Sequence, residues 1–511
     1  MSSKKSIDEV SKAMGLMEMD THKLVDLIKH DILMSLYRSG MENGSKITLS
    51  AEDKQLNAKI QAVYKEWTGN EFDYDPSHKN LSMFLMGPPG QGKTTTFKEA
   101  AKEVCEAVGL KLVVNPDDNY KPSKQDFVFA SLECSGENSA ITFGGLPSKV
   151  EEEGPGGEKL TYMTKVPNKR MALLSQVAGG VLLLDDFSNA APNVQNVALS
   201  LTDEKRFQGL NLAHTYVGLT GNLGAIDGTH TTKNSTALSS RCILVFTRDD
   251  VKNFEARTQK RFKNDDIGDA GILAFLQRNP ECFAEMPDGK KNGGFPCPRT
   301  WDHFMGEARS FIRRHGGRGK GEKHALENIK AYANIILGHE VGLKLASYYQ
   351  SLVQGADPIA QNAIVHGKFN KKEVDEKYGG GKSAPQQDFG YQLAVACADY
   401  AVQMIRNDKD NSLTEPIKRF GQVVLMLNPA EFAYAIDYFK AKLAVQVDKY
   451  CANANTKDLV KKLTTDTKVE ISTILSKLED FDADKRETLI NAISDYDKLD
   501  STRRPTRRTT R

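Results

Sequence analysis

Along the first 80 residues apolar side chains recur at three- and four-residue intervals. Leu24, Val25, Leu27, Ile28, Ile32, Leu33 and Leu36 share one face of a helix. Ser50, followed by Glu52 and Asp53, opens a second helix that runs to about Trp67. Nothing in this stretch carries chemistry, and it is expected to be a helical cap on the domain that follows. From Leu81 the pattern changes to short solid apolar runs, Met83 to Met86, Lys111 to Asn115, Phe127 to Ser131, Val181 to Leu184, Tyr216 to Leu219 and Cys242 to Phe246. Runs this short, alternating with helical segments, predict a parallel sheet in an α/β domain. The glycines, two prolines and acidic cluster between Gly136 and Gly157 predict an exposed, mobile loop region.

Beyond Asp250 the spacing is helical again. Thr300 stands as an N-cap for a helix carrying Trp301 into a core, and Tyr391 to Ile405, Asn428 to Tyr450 and Leu459 to Ile493 continue the pattern. The boundaries follow: a helical segment 1–80, an α/β domain 81–250, a helical lid 251–345, a C-terminal helical region 346–500 and a tail 501–511. The glycine-rich stretch Tyr378 to Ser383 reads as a linker, because Glu376 stands where a phosphate loop needs its first glycine.

The chemistry concentrates where the first solid run ends. Gly87-Pro88-Pro89-Gly90-Gln91-Gly92-Lys93-Thr94 fits the phosphate-binding pattern G-x-x-x-x-G-K-[ST], with Thr95 next in a helix that ends at Gly109. Glycines there let backbone N–H groups close around phosphates, Lys93 supplies a charge, and the Thr94 hydroxyl is placed for Mg²⁺. A second run ends in Asp185 and Asp186. Asp185 is placed to hold Mg²⁺, and Asp186 to orient or deprotonate an attacking water. A third ends in Asn222, an amide that either orients that water or contacts the γ-phosphate. Arg241 leads into the last run, far in sequence from the phosphate loop, which favours a role across a subunit boundary.

Composition narrows the class without naming a partner. The chain has 511 residues, 27% charged and 39% hydrophobic, with a formal net charge of +2, so no overall field points to nucleic acid or an acidic membrane. Seven scattered cysteines without a C-x-x-C pair predict free thiols in a reducing compartment and no zinc site. The first residues, MSSKKSIDEVSK, lack an apolar signal core, and no run approaches the roughly 18 apolar residues of a membrane span. A cytoplasmic protein without membrane contact is expected. The final STRRPTRRTTR holds five arginines and no acid, a solvated tail or a nucleic-acid contact.

GPPGQGKT, LLLDDF, LTGN, ALSSRC and Pro298-Arg299-Thr300-Trp301, in this order, resemble an AAA+ ATPase of the MoxR-like group found in bacteria and their phages. Ala191 to Gln195, Gly145 to Pro147 and Ile272 to Leu276 add to the likeness, which covers roughly Leu81 to Trp301 and continues weakly to about Phe432. The resemblance implies an AAA+ P-loop αβα domain with a parallel sheet, a helical lid and further C-terminal helices. It implies Lys93 and Thr94 as the Walker A pair, Asp185 as the Walker B metal ligand and Asn222 as sensor 1. Arg241 would be the arginine finger acting on a neighbouring subunit, and Arg299 sensor 2 from the lid. The group usually has Glu where this chain has Asp186, a side chain shorter by one methylene. The implied function is ATP hydrolysis with Mg²⁺ by a ring, a homo-hexamer, that remodels a protein partner, often one with a von Willebrand A-type domain. A nucleic-acid motor or DNA-loading ATPase is the rival, favoured by the arginine tail and by Arg313 to Lys320.

Overall fold

The structure is a computed structural model. It describes residues 7–424, except 43–44, 47, 76–79, 136–144, 154–156, 204, 208–209, 230, 232–235, 262–269, 288–292, 318–319, 379–386 and 408–413, together with 426–427, 431, 434–435 and 438–439. The expected linker at 379–383, the segments 440–450 and 459–493, and the basic tail lie outside the described residues. Two compact units emerge. One comprises Met1–Asp250 with Glu285–Asn292 and Cys297–Arg299; the other comprises Val251–Ala284, Gly293–Pro296 and Thr300–Arg511.

The first unit is built on seven parallel strands: β1 Met17–Asp20, β2 Ser82–Met86, β3 Lys111–Val114, β4 Asp126–Glu133, β7 Gly179–Asp185, β8 Thr215–Gly221 and β9 Cys242–Arg248. Two further strands, β5 Leu146–Glu153 and β6 Lys159–Val166, form a separate antiparallel hairpin. The sheet order is β1-β9-β2-β8-β7-β4-β3. Every residue of β2 and β8 is buried, as the solid apolar runs require for strands covered on both faces. After α1 (Ile7–Met14), one face is covered by α2 (Thr21–Leu36) and α4 (Lys93–Val108), with α3 (Ala51–Thr68) against them. Leu24, Ile28, Ile32, Leu36, Phe97 and Val104 join Met83, Leu85, Phe129, Val181, Leu183 and Val245 in one core. Gly218 of β8 makes room for one of these approaches, since a Cβ there would lie 2.4 Å from the Phe97 ring. Phe84 and Phe187, 6.0 Å apart, pack on the opposite face.

Three expectations change. The amino-terminal segment is not a cap: Met17–Asp20 pairs in parallel with Val245–Arg248 as the edge strand of the sheet, and α2 lies directly on that sheet. Four residues, Met-Glu-Met-Asp, are too few to display a period, and the strand exists only because β9 offers its edge. The region between Gly136 and Gly157 is not all loop, because β5 pairs with β6 from Leu146↔Val166 to Glu153↔Lys159. Leu146, Val150, Leu160, Tyr162 and Val166 alternate onto one face, a period-two signal masked by the glycines around it. Thr300 lies inside a helix that starts two residues earlier, Pro298–Arg314, and its hydroxyl donates back to the Phe295 carbonyl at 2.9 Å. Proline suits that first position because the N–H it lacks would have no helical acceptor.

The second unit is helical among its described residues. Trp301 is fully buried in its core beside Phe275 and Phe304, and its indole N–H donates to the carbonyls of Cys282 (3.2 Å) and Phe283 (3.1 Å). The helix His339–Ser351 runs through a wide π-turn, Leu352–Ala356, into Asp357–Ile364. Pro358 accounts for the widening, having no N–H for the carbonyl four residues back and a ring that crowds that turn. Gln387–Asn407 forms the long helix expected from Tyr391.

Candidate functional site

Strand β2 ends at Met86 and delivers Gly87 to the carboxyl edge of the sheet; α4 begins six residues later at Lys93. Gly90 and Gly92 have φ of 83° and 80°, values that side chains disfavour. Space is equally restrictive at Gly90, where a Cβ would sit 2.4 Å from Cys297 Sγ. Pro88 is buried and Pro89 half-buried, so two fixed φ angles lead into the turn. Gly92 is the N-cap of α4 and offers no side-chain acceptor. The first-turn N–H groups of Lys93, Thr94 and Thr95 therefore have no intrahelical partner and no side-chain cap from Gly92, an arrangement suited to an anion.

Lys93 is 7% exposed, and its ammonium donates to the carbonyls of Gly87 (2.8 Å) and Pro88 (3.0 Å) and to Asn222 Oδ1 (3.1 Å). Burial pushes its pKa down to about 8; Asp186, Asp227 and Asp185 pull it upward, and the positive charge of Arg299 pushes it further down. Thr94 Oγ1 lies 2.9 and 3.0 Å from the two oxygens of Asp185, at the end of β7. Asn222, just past β8, also donates through Nδ2 to Asp186 Oδ1 at 3.1 Å. One amide thus links the lysine of the loop to the second carboxylate. Asp186 has φ 52°, and its half-buried carboxyl has a pKa raised by burial, then by Asp185 and Glu133, against opposing pulls from Lys93 and the Asn222 amide.

Loop, both carboxylates and Asn222 therefore converge. Arg299 joins them: its N–H donates to the Gly90 carbonyl at 3.3 Å, and its side chain is exposed. Arg241 does not. It precedes Cys242, which pairs with Ser82 at the start of β2, whereas the phosphate loop follows Met86 at the other end of that strand. A strand of that length places the two roughly 13 Å apart. Arg241 is half-buried, with Nη1 donating to the Ala237 carbonyl at 3.0 Å.

Sequence reasoning missed three supporting groups. Thr220 donates to Asp185 Oδ1 and accepts from the Asp186 N–H at 3.0 Å, fixing the Asp185 carboxylate and the Asp186 backbone from the neighbouring strand. Its signal was available, a hydroxyl inside a buried apolar run. Ser188 accepts from the Asn222 N–H at 2.8 Å. Asp227, 2% exposed, accepts from the Leu223 N–H at 2.7 Å; neither had a distinguishing pattern.

A hydroxyl and a carboxylate are hard oxygen donors that fit Mg²⁺, so Thr94 and Asp185 would hold it. Among the described residues no group of three or more His, Cys, Asp or Glu could hold a metal ion.

Residues 82–262 match the AAA domain (dynein-related subfamily). With its parallel sheet, loop and flanking helices, the first unit has an α/β P-loop AAA+ fold, and the match supports ATP hydrolysis in general terms. No curated protein sequence matches the chain. Among solved structures it is similar to a RuvB variant from Thermotoga maritima, at 14% identity over 74% of this chain and 89% of that one with a TM-score of 0.26. It is also similar to closed-state Hsp104 with ATPγS and casein, at 16% identity over 68% of this chain and 47% of that one with a TM-score of 0.24. No described helix is long and apolar enough to cross a membrane.

Proposed function

We propose that this chain is a MoxR-like, ATP-hydrolysing ring subunit that remodels or activates a protein partner. The observation that carries the reading is the Lys93–Asn222–Asp186 chain of hydrogen bonds beside the Thr94–Asp185 pair. Loop N–H groups and Lys93 bind the phosphates, and Asp186 takes the proton of the attacking water. Asn222 keeps that carboxylate aimed while sensing Lys93, and Arg299 adds charge from above the loop. Mg²⁺, when bound, supplies further positive charge to the phosphate oxygens. The raised pKa of Asp186 suits a base, since a more basic carboxylate takes a proton more readily. Turnover should therefore fall as pH drops through that raised value. The six described cysteines are all buried, and none of them is in a disulfide.

Phosphate release from Mg·ATP by the purified chain tests the reading directly. Asp186→Asn is expected to bind ATP and assemble as wild type does, and to turn over about 10²-fold more slowly, the usual contribution of a positioned base. Equal rates in the two proteins would remove Asp186 from the mechanism, and no release by the wild type would remove the ATPase reading.

The hairpin favours a protein partner, one with a von Willebrand A-type domain being the candidate that the resemblance suggests. Leu146, Leu160, Tyr162 and Val166 are 43–64% exposed on one face, and a lone two-stranded ribbon gains little stability from such a face in water. Leu146→Ser is expected to alter stability by no more than about 0.5 kcal/mol and to weaken stimulation of the ATPase by an unfolded protein several-fold. A large drop in melting temperature would make Leu146 a packing residue instead.

A nucleic-acid motor is the second reading, favoured by the exposed cluster Arg313, Arg314, His315, Lys323 and His324 at one helix–helix corner. Strong stimulation of phosphate release by DNA or RNA, diminishing with salt, would decide for it.

A further inference from the structure

The phosphate loop is tied to the amino-terminal segment through the side chain of Gln91, apart from the loop's own N–H groups and Lys93. Gln91, 1% exposed, accepts the Asp249 N–H through Oε1 at 3.3 Å. Asp249, also 1% exposed, accepts the Thr21 hydroxyl through Oδ1 at 2.8 Å. Thr21 opens α2 directly after the edge strand β1, and its methyl lies 3.9 Å from where a Cβ on Gly92 would be. The same segment is fastened again at Glu18, which accepts from Arg248 at 3.2 Å and from Ser11 at 2.9 Å. Hence a buried hydrogen-bonded relay joins the loop, at Gln91, to the segment, while the absence of a side chain at Gly92 leaves room beside the Thr21 methyl.

Gln91 is an expensive choice for stability. Among the described residues its buried Nε2 has no hydrogen-bond partner, nor has the buried hydroxyl of Thr247, whose carbonyl oxygen would lie 2.8 Å from a Cβ on Gly87. A buried amide donor left unpaired is destabilising, whereas an apolar side chain of the same length would fill the space without that cost. What glutamine supplies is the Oε1 bond, which sets the height of the loop against Asp249.

We infer that Gln91 is a positioning residue for the phosphate loop, acting through Asp249 and Thr21, so that nucleotide affinity depends on how the amino-terminal segment is seated. This rests on the nucleotide reading above and adds a coupling to it. Because coupling is reciprocal, nucleotide binding also strengthens the seating of that segment.

The test is ATPγS affinity of the full chain by calorimetry with Mg²⁺, alongside steady-state KM and kcat and a melting curve for each variant. Thr21→Val keeps the shape of the side chain and removes the hydroxyl; it is expected to weaken ATPγS binding about fivefold, the effect of one net hydrogen bond. KM should rise with it, more than kcat changes, and Thr21→Ser should restore binding. Gln91→Met is expected to weaken binding by a similar factor without a lower melting temperature. In the double variant the two losses should not multiply. Wild-type affinity in Thr21→Val would overturn the coupling, as would losses that multiply. So would weakened binding that follows a falling melting temperature and is not restored by Thr21→Ser. Failure of the wild type itself to bind ATPγS overturns the nucleotide reading and, with it, this one.

Discussion

Lys93→Met should lose ATP binding by at least about 10²-fold while melting no lower than the wild type, because the charge that phosphate needs is one the fold resists. Holding the ammonium in a site that pushes its pKa from 10.5 to about 8 costs about 3 kcal/mol at neutral pH. The carbonyls of Gly87 and Pro88 and Asn222 Oδ1 accept from the ammonium, and their attraction is already part of that net cost. A methionine removes the charge and keeps most of the volume. The sign with pH follows from the direction of the shift. The folded state disfavours the protonated form, so the cost is fully present below pH 8 and fades as pH rises from 8 toward 10.5. The stability advantage of Lys93→Met should fade over the same window. ATP affinity of the wild type should be flat below pH 8 and fall above it, by up to tenfold per pH unit, as binding comes to require uptake of a proton. Calorimetric titrations at several pH values read both effects. Undiminished affinity in Lys93→Met would show that the loop does not bind the phosphates.

The parts of this molecule that were legible in the sequence are those whose chemistry is local. Gly87 to Thr94 is contiguous because a phosphate is smaller than a turn, so positive φ, uncapped N–H groups and lysine must come from neighbouring residues. Asp185 and Asp186 were legible because they end a run of apolar residues, and a run that ends in acid marks the edge of a sheet. Thr220 and Ser188 were not singled out, since a hydroxyl gains its role only when another strand places a carboxylate or an N–H opposite it. Met17–Asp20 is the clearest case: its alternation spans four residues, and its reason for being a strand lies at Val245–Arg248. The hairpin was hidden differently, by glycines and prolines that argued for loop while every second residue argued for strand. Gln91 fell in a variable position of the phosphate pattern, where sequence assigns no role, and only burial beside Asp249 reveals one.

Arg241→Ala should bind ATP within a few-fold of wild type and hydrolyse it about 10³-fold more slowly, and the defect should be repaired by a different subunit. Arg241 stands at the start of β9, at the amino edge of the sheet, while the chain's own loop, carboxylates and Asn222 gather at the carboxyl edge. The backbone between them is a buried parallel strand that does not bend, so this guanidinium has no route to its own pocket. Within that pocket Lys93 and Arg299 already supply positive charge. A cation fixed at the opposite edge, its Nη1 steadied by the Ala237 carbonyl, is suited to the pocket of a neighbour in a closed ring. There it would stabilise charge that develops only during transfer, which is why binding is spared and turnover is not. Mixing Arg241→Ala with Lys93→Ala subunits isolates the geometry. Neither homogeneous ring contains an interface with both an intact Lys93 pocket and an intact Arg241, but random mixing in equal amounts creates them at roughly a quarter of the interfaces. Phosphate release should return on mixing, rising with the proportion of such interfaces. Mixed rings shown to form by native mass spectrometry, yet as inactive as either parent, would place Arg241 outside the reaction.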